Sequence, residues 1–203
     1  MWAADSFAPL VEFWQELLSN PTSLATTIQG HFPLTPTSFA HLKVMYRQLP
    51  TRLERAAAYF ALNRASFAGF TFCGGFSGSR PWTQESIDRV RDWPKLPLNV
   101  QHSDWKATLD VHPSTFTYLD PPYFGIDNYY GFEKKSADSF PHQALATYLS
   151  SRPTPWLLSN FDCPEIREMY SGNYMTIPKP WHYGTTHTQS RELLISNYPL
   201  ENN

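Results

Sequence analysis

Thr115-Phe116-Thr117-Tyr118-Leu119-Asp120-Pro121-Pro122-Tyr123 is the stretch on which the reading of this chain turns. Residues 115–119 are a short run of β-formers. The strand they predict cannot continue past Asp120, because two prolines remove two backbone donors and fix φ at both positions. The carbonyls of Asp120 and Pro121 are thereby freed from ladder pairing and held at the carboxyl end of the strand. Open α/β sheets bind their ligands at that end. At roughly 5% usage per residue type, a given tetrapeptide arises by chance in a chain this long about once in a thousand trials.

The 203 residues suffice for one domain with a substantial core and an inserted subdomain. Hydrophobic residues make up 41% and aromatics 16%, as a packed globule requires. Only 17% are charged, low for a free-standing surface and pointing to contact with a partner or substrate, or to missing chain. The net charge of −2 supplies no global basic field, so binding to nucleic acid would need a local patch. Cys73 and Cys163 form no CxxC pair, which favours a reduced, cytoplasmic setting without a metal framework. The seven histidines show no zinc-ligand spacing, and His182 and His187 read as polar-loop residues. No apolar run approaches a membrane span, and Asp5 and Glu12 break any signal-peptide pattern.

Phe7, Leu10, Val11, Trp14, Leu17 and Leu18 recur at helical spacing and predict a helix over 8–18. Residues 22–37 are polar and proline-punctuated and read as a connector. Thr37 is the expected cap of a second helix reaching about residue 48. Thr51 and Glu54 have capping-box spacing and predict a third helix to about residue 65. A glycine- and phenylalanine-rich loop follows at 67–78, then a helix over 82–92. Strands are expected at 98–102, 116–119, 156–160, 173–177 and 192–198, with helical segments at 105–109, 139–149 and 164–170. Alternation of strands and helices in the second half implies a mostly parallel sheet.

The tetrapeptide resembles the catalytic motif of amino-group methyltransferases, in particular the Dam-like (D12 class) adenine-N6 DNA methyltransferases. Five further stretches resemble that family in order: the 57–69 segment with Leu62-Asn63-Arg64, Phe67 and Gly69; Gly74-Gly75-Phe76-Ser77; His102-Ser103-Asp104-Trp105; and the two strands around Leu157-Leu158-Ser159-Asn160 and 192–198. The resemblance implies a Rossmann-like α/β fold, with a mostly parallel sheet, an antiparallel C-terminal hairpin and a helical target-recognition insertion. Residues 1–19 and 97–203 would form the catalytic domain and 20–96 the insertion. It implies S-adenosylmethionine as cofactor, double-stranded DNA as partner and no metal, as in the methylases of restriction–modification systems.

An exocyclic adenine amine is a poor nucleophile because its lone pair is delocalised into the ring. The Asp120 carboxylate and Pro121 carbonyl would accept its two hydrogens and stabilise the charge that develops on nitrogen. Pro122 makes the turn rigid, and Tyr123 would stack on a base flipped out of the helix. By resemblance, Asp5 holds ribose hydroxyls or, alternatively, caps a helix. Asp104 accepts from the cofactor's adenine amine, and Trp105 stacks on that ring or fills the core. Asn63 and Arg64 either contact DNA or merely end a helix. Phe67, Gly69, Phe72, Phe76 and Ser77 form a candidate DNA-contacting loop, with Phe70, Phe72 or Phe76 as the wedge into the gap left by the base. Lys179 and Tyr183 are weaker candidates for DNA contact.

The family's opening strand and F-x-G-x-G segment have no counterpart here. Phe67-Ala68-Gly69-Phe70-Thr71 is a loose approximation with Thr71 in place of the second glycine. The expectation is an N-terminally incomplete or split enzyme that lacks a central strand, with a separate N-terminal chain or segment as possible partner. The alternatives are a catalytically inactive DNA-binding remnant and a methylase of RNA or small molecules.

Overall fold

The computed structural model describes residues 1–78, 82–125, 140–176 and 192–200. Two compact units divide the chain after Leu109.

The first unit begins with β1 (Trp2–Asp5), which pairs in parallel with β2 (Asn99–His102). Between them run α1 (Ala8–Ser19), α2 (Pro21–Gln29), α3 (Pro36–Met45), α4 (Arg52–Ala65) and α5 (Gln84–Arg91). Helix α4 is the centre of this layer. Its buried face is Ala56, Ala57, Ala58, Ala61, Leu62 and Ala65, and side chains this small let neighbouring helices approach closely. Against it lie Leu17 of α1 and Leu24, Ala25 and Ile28 of α2. Full burial of each Leu or Ile contributes roughly 1.5–3 kcal/mol. Arg55 of α4 grips Glu12 of α1 with both Nε and Nη2, at 2.9 and 2.7 Å, and Arg52 pairs with Glu16 one turn along.

The expected capping box at Thr51 forms: the Thr51 hydroxyl accepts from the Glu54 amide, and the Glu54 carboxylate takes the Thr51 amide. The Thr51 hydroxyl also donates to the Glu54 carboxylate, and this bond, with that from the Thr51 amide, holds the carboxyl below its ordinary range. Helix α3 begins earlier than expected, capped by Thr35 instead of Thr37, with Pro36 at its first position.

Helix α2 corrects the reading of 22–37 as a connector. Asn20 caps it by accepting from the Ser23 amide at 3.3 Å, and Pro21 occupies the first turn, where its missing donor costs nothing. Just past its end, burial pushes the His31 imidazole below its ordinary 6.5. The folded state therefore resists a proton that the unfolded chain accepts. Stability is retained above the unfolded value and lost as pH falls below it. Urea unfolding at about pH 5.5 and about pH 7.5 should show lower stability at the acid point, and His31→Gln should flatten that difference.

The second unit holds a four-stranded sheet in the order β3 (Thr117–Leu119), β4 (Trp156–Phe161), β6 (Glu192–Ser196), β5 (Tyr174–Thr176). Strand β3 is parallel to β4, whereas β6 is antiparallel to both β4 and β5. Helix α6 (Trp105–Val111) precedes the sheet; α7 (His142–Ser150) and α8 (Pro164–Met169) flank β4 in sequence. Trp156, Leu158, Leu145, Leu149, Ile166, Leu193 and Ile195 form the core of this unit. Asn197 ties its lower edge, accepting from the Trp156 amide and donating to the carbonyls of Arg152 and Thr154.

The architecture is mixed α/β, as expected. Among the described residues it differs from a single, mostly parallel sheet: there are two sheets, with two parallel and two antiparallel pairings. Among the described residues β3 has one neighbour, β4; Tyr118 in it and Phe116 just before it stand more than half exposed.

Candidate active site

Strand β3 ends at Leu119, so Asp120 stands just past the ladder, with its side chain exposed and Pro121 buried beneath the turn. The turn is held from β4. The buried Ser159 hydroxyl donates to Asp120 Oδ1 at 2.9 Å and lies 3.0 Å from the Tyr118 hydroxyl. The next residue, Asn160, is 1% exposed, and its Oδ1 accepts from the amides of Phe124 and Phe161 at 2.9 and 2.8 Å. Gly125, at φ +83°, follows in the left-handed region that glycine adopts without strain.

Tyr123 is half-buried. Its ring meets Phe161 edge-on at a centroid distance of 5.1 Å, and its hydroxyl donates to Glu192 of β6. Burial pushes this phenol well above its ordinary 10. The carboxylates of Glu192 and Asp120 add to the shift, while a hydrogen bond with Ser159 opposes it. The phenol is therefore a protonated donor at any physiological pH. Ser159, Asn160, Phe161 and Glu192 were not assigned site roles from the sequence. They meet the turn through strand pairing, which no local motif announces.

Asp5 and Asp104 sit together in the first unit, at the carboxyl end of the β1–β2 pair. Asp5 is in register with His102, and its carbonyl accepts from the Ser103 amide at 3.1 Å. Asp5 is not the cap of α1: that position is Phe7, whose amide donates to Asp5 Oδ1 at 2.6 Å. Asp104 Oδ1 accepts from the amides of Lys106 and Ala107, which caps α6. Trp105, the first residue of that helix, is half-buried and not a core residue. Two carboxylates and an indole at adjacent strand ends suit a ligand with hydroxyl and amine donors and an aromatic ring, as in a nucleoside.

The 66–77 loop closes on itself. An isolated bridge joins Ser66 to Phe76, the Phe67 amide donates to Gly75, and the Ser77 amide donates to Ala65. Gly69 at φ +73°, Ala68 at +50° and Thr71 at +47° turn the chain. Asn63 holds this turn, donating to the Gly69 carbonyl at 2.8 Å and the Thr71 hydroxyl at 3.0 Å. Both of its donors are thus engaged inside the loop. Gly74 packs where a Cβ would come within 3.1 Å of Phe70 Cβ.

Phe72 is a core residue, 3% exposed and set against Tyr46 at 4.6 Å, and Phe76 packs on Phe39. Phe67 projects instead, at 66% exposure, with Gly69 and Ser77 also exposed. Arg64 is half-buried, and its Nε has no hydrogen-bond partner among the described residues. Lys179 and Tyr183 lie outside the described residues.

Among the described residues there is no group of three or more His, Cys, Asp or Glu placed to hold a metal ion, and no helix long and apolar enough to cross a membrane. No curated relative matches the chain. The model of one family, D12 class N6 adenine-specific DNA methyltransferase, matches residues 1–185. That span contains the β1–β2 strand ends, the 66–77 loop and the whole Asp120–Tyr123 turn. The chain belongs to the D12 class of N6 adenine-specific DNA methyltransferases.

Proposed function

We propose that the protein methylates the N6 amine of an adenine flipped out of double-stranded DNA, with Asp120 and the Pro121 carbonyl as the two acceptors for that amine. The observation that carries this reading is the state of Asp120: an exposed carboxylate beyond the end of β3, with Oδ1 fixed by Ser159. Oδ2 is then the oxygen left to face an incoming amine. Acceptors fixed before the reaction need no reorganisation as positive charge grows on nitrogen. The rigid turn also lines the amine up for in-line attack. Tyr123 offers a ring for the flipped base to stack on.

S-adenosylmethionine would supply the methyl group on its sulfonium. Asp5 would hold its ribose hydroxyls, Asp104 its adenine amine, and Trp105 its adenine ring. The glycine-bearing segment that wraps the methionine part in this family is absent from the 203 residues. We assign that role to a segment or chain outside them. The edge of β3 that meets no other strand among the described residues, with Phe116 and Tyr118 exposed, is where such a strand would add to a Rossmann-like sheet. Residues 20–96 would then be the target-recognition part.

On the DNA side, Arg64 would meet phosphate and Phe67 would enter the gap left by the base, with Asn63 keeping the loop in shape for both. Competition binding tests the substrate class. A labelled DNA duplex should be displaced by unlabelled duplex and not by RNA of equal length. Phe67→Ala should weaken duplex binding by about 10-fold, the value of roughly one stacking contact. Equal displacement by RNA would overturn the assignment to DNA.

A further inference from the structure

We infer that Glu192 sets the plane of the Tyr123 ring, and so acts as a positioning residue for the base that the catalytic turn receives; this rests on reading that turn as a base pocket. Glu192 opens β6 and stands directly opposite Phe161 at the end of β4. Residues opposite one another in an antiparallel pair project to the same face of the sheet. Tyr123 meets both of them, its hydroxyl on the Glu192 carboxylate and its ring edge-on to Phe161.

A tyrosine ring has two soft torsions. Fixing its far end by a hydrogen bond and its flank by a ring contact removes both freedoms. The base would then find a platform already oriented, without the entropic cost of ordering it on binding.

Glu192 has little other visible work. It is half-buried, and no cation pairs with it among the described residues. A partly desolvated carboxylate without a cation is a poor stabilising device, whereas a hydrogen bond to a charged acceptor is among the stronger ones. The groups around the Tyr123 hydroxyl are Glu192 from β6, Ser159 from β4 and Asp120 from the turn itself.

Two readouts test this on the 203-residue chain. The first is carbon-13 NMR of ring-labelled tyrosine, with Tyr123→Phe identifying the resonance. Glu192→Ala should let Tyr123 titrate at lower pH, because a carboxylate that opposes the phenolate has gone. The second is the fluorescence of 2-aminopurine placed at the target adenine of a duplex, which rises when the base leaves the stack. Glu192→Ala and Tyr123→Phe should each lose most of that rise, and the double variant should lose no more than either. Glu192→Gln, which keeps an acceptor, should restore it.

A Tyr123 titration that ignores Glu192→Ala, or a fluorescence rise that survives it intact, would overturn the positioning role. A duplex that stays dark with the unaltered chain would overturn the base-pocket reading instead, and the tyrosine titration separates the two failures.

Discussion

In the proposed reaction Asp120→Ala should lower methyl transfer to adenine by about 10²–10³-fold and leave duplex affinity unchanged. The loss falls on the rate because the carboxylate is exposed and carries little of the fold. Its one hydrogen bond among the described residues comes from Ser159, whose hydroxyl keeps Tyr118 as a second partner. Asp120→Asn is the sharper variant. With Ser159 donating to one side-chain oxygen, an amide would place its carbonyl there and turn its NH2 toward the target amine. Two donors would then face each other, so Asn should rescue little despite its matching shape. N6-methyladenine formed per unit time, with duplex binding in parallel, checks both substitutions. An Asp120→Ala variant that methylates within a few-fold of the unaltered protein removes Asp120 from the chemistry.

The second large effect is on stability. Trp156→Ala should cost the second unit about 3–5 kcal/mol. Trp156 is fully buried at the start of β4, packed beside Tyr170 with ring centroids 6.1 Å apart. A cavity there loosens the strand that carries Ser159 and Asn160, so activity and stability should fall together. The indole Nε1 is buried without a hydrogen-bond partner among the described residues. Trp156→Phe keeps much of the packing and discards that unsatisfied donor. It should therefore cost well under half as much, which urea unfolding of the two variants would show.

Some helix and strand ends were legible in the sequence where local chemistry fixes them, although the caps at Asn20 and Thr35 were not. The capping box at Thr51 and Glu54 sits where its spacing placed it, and the strand before Asp120 ends where two prolines require it to end. Helix α2 was hidden because four of its nine residues are Ser or Thr, which read as loop formers. In the structure the Thr26 and Thr27 hydroxyls turn back onto the Thr22 and Ser23 carbonyls within the helix. Leu24, Ala25 and Ile28 then bury a face too narrow to show as a periodic pattern.

The candidate site was legible only as far as its motif. Asp120–Tyr123 announced itself. Its supports did not, because Ser159, Asn160 and Phe161 reach the turn through the β3–β4 pairing and Glu192 through the β4–β6 register. The phenylalanines of the 66–77 loop show the same limit. Composition marked Phe67, Phe72 and Phe76 alike, while packing sends Phe72 into the core and leaves Phe67 outside.

The most direct test of the account is to supply the cofactor segment that it assigns to a separate segment or chain, and look for the product. A strand and F-x-G-x-G segment from another member of the family would be joined ahead of Met1. The fusion would be expressed in a host whose DNA lacks N6-methyladenine, and the nucleosides of that DNA analysed by mass spectrometry. The account predicts N6-methyladenine in the DNA, abolished by Asp120→Ala. A folded fusion that binds S-adenosylmethionine and duplex DNA yet leaves adenine unmethylated would contradict it.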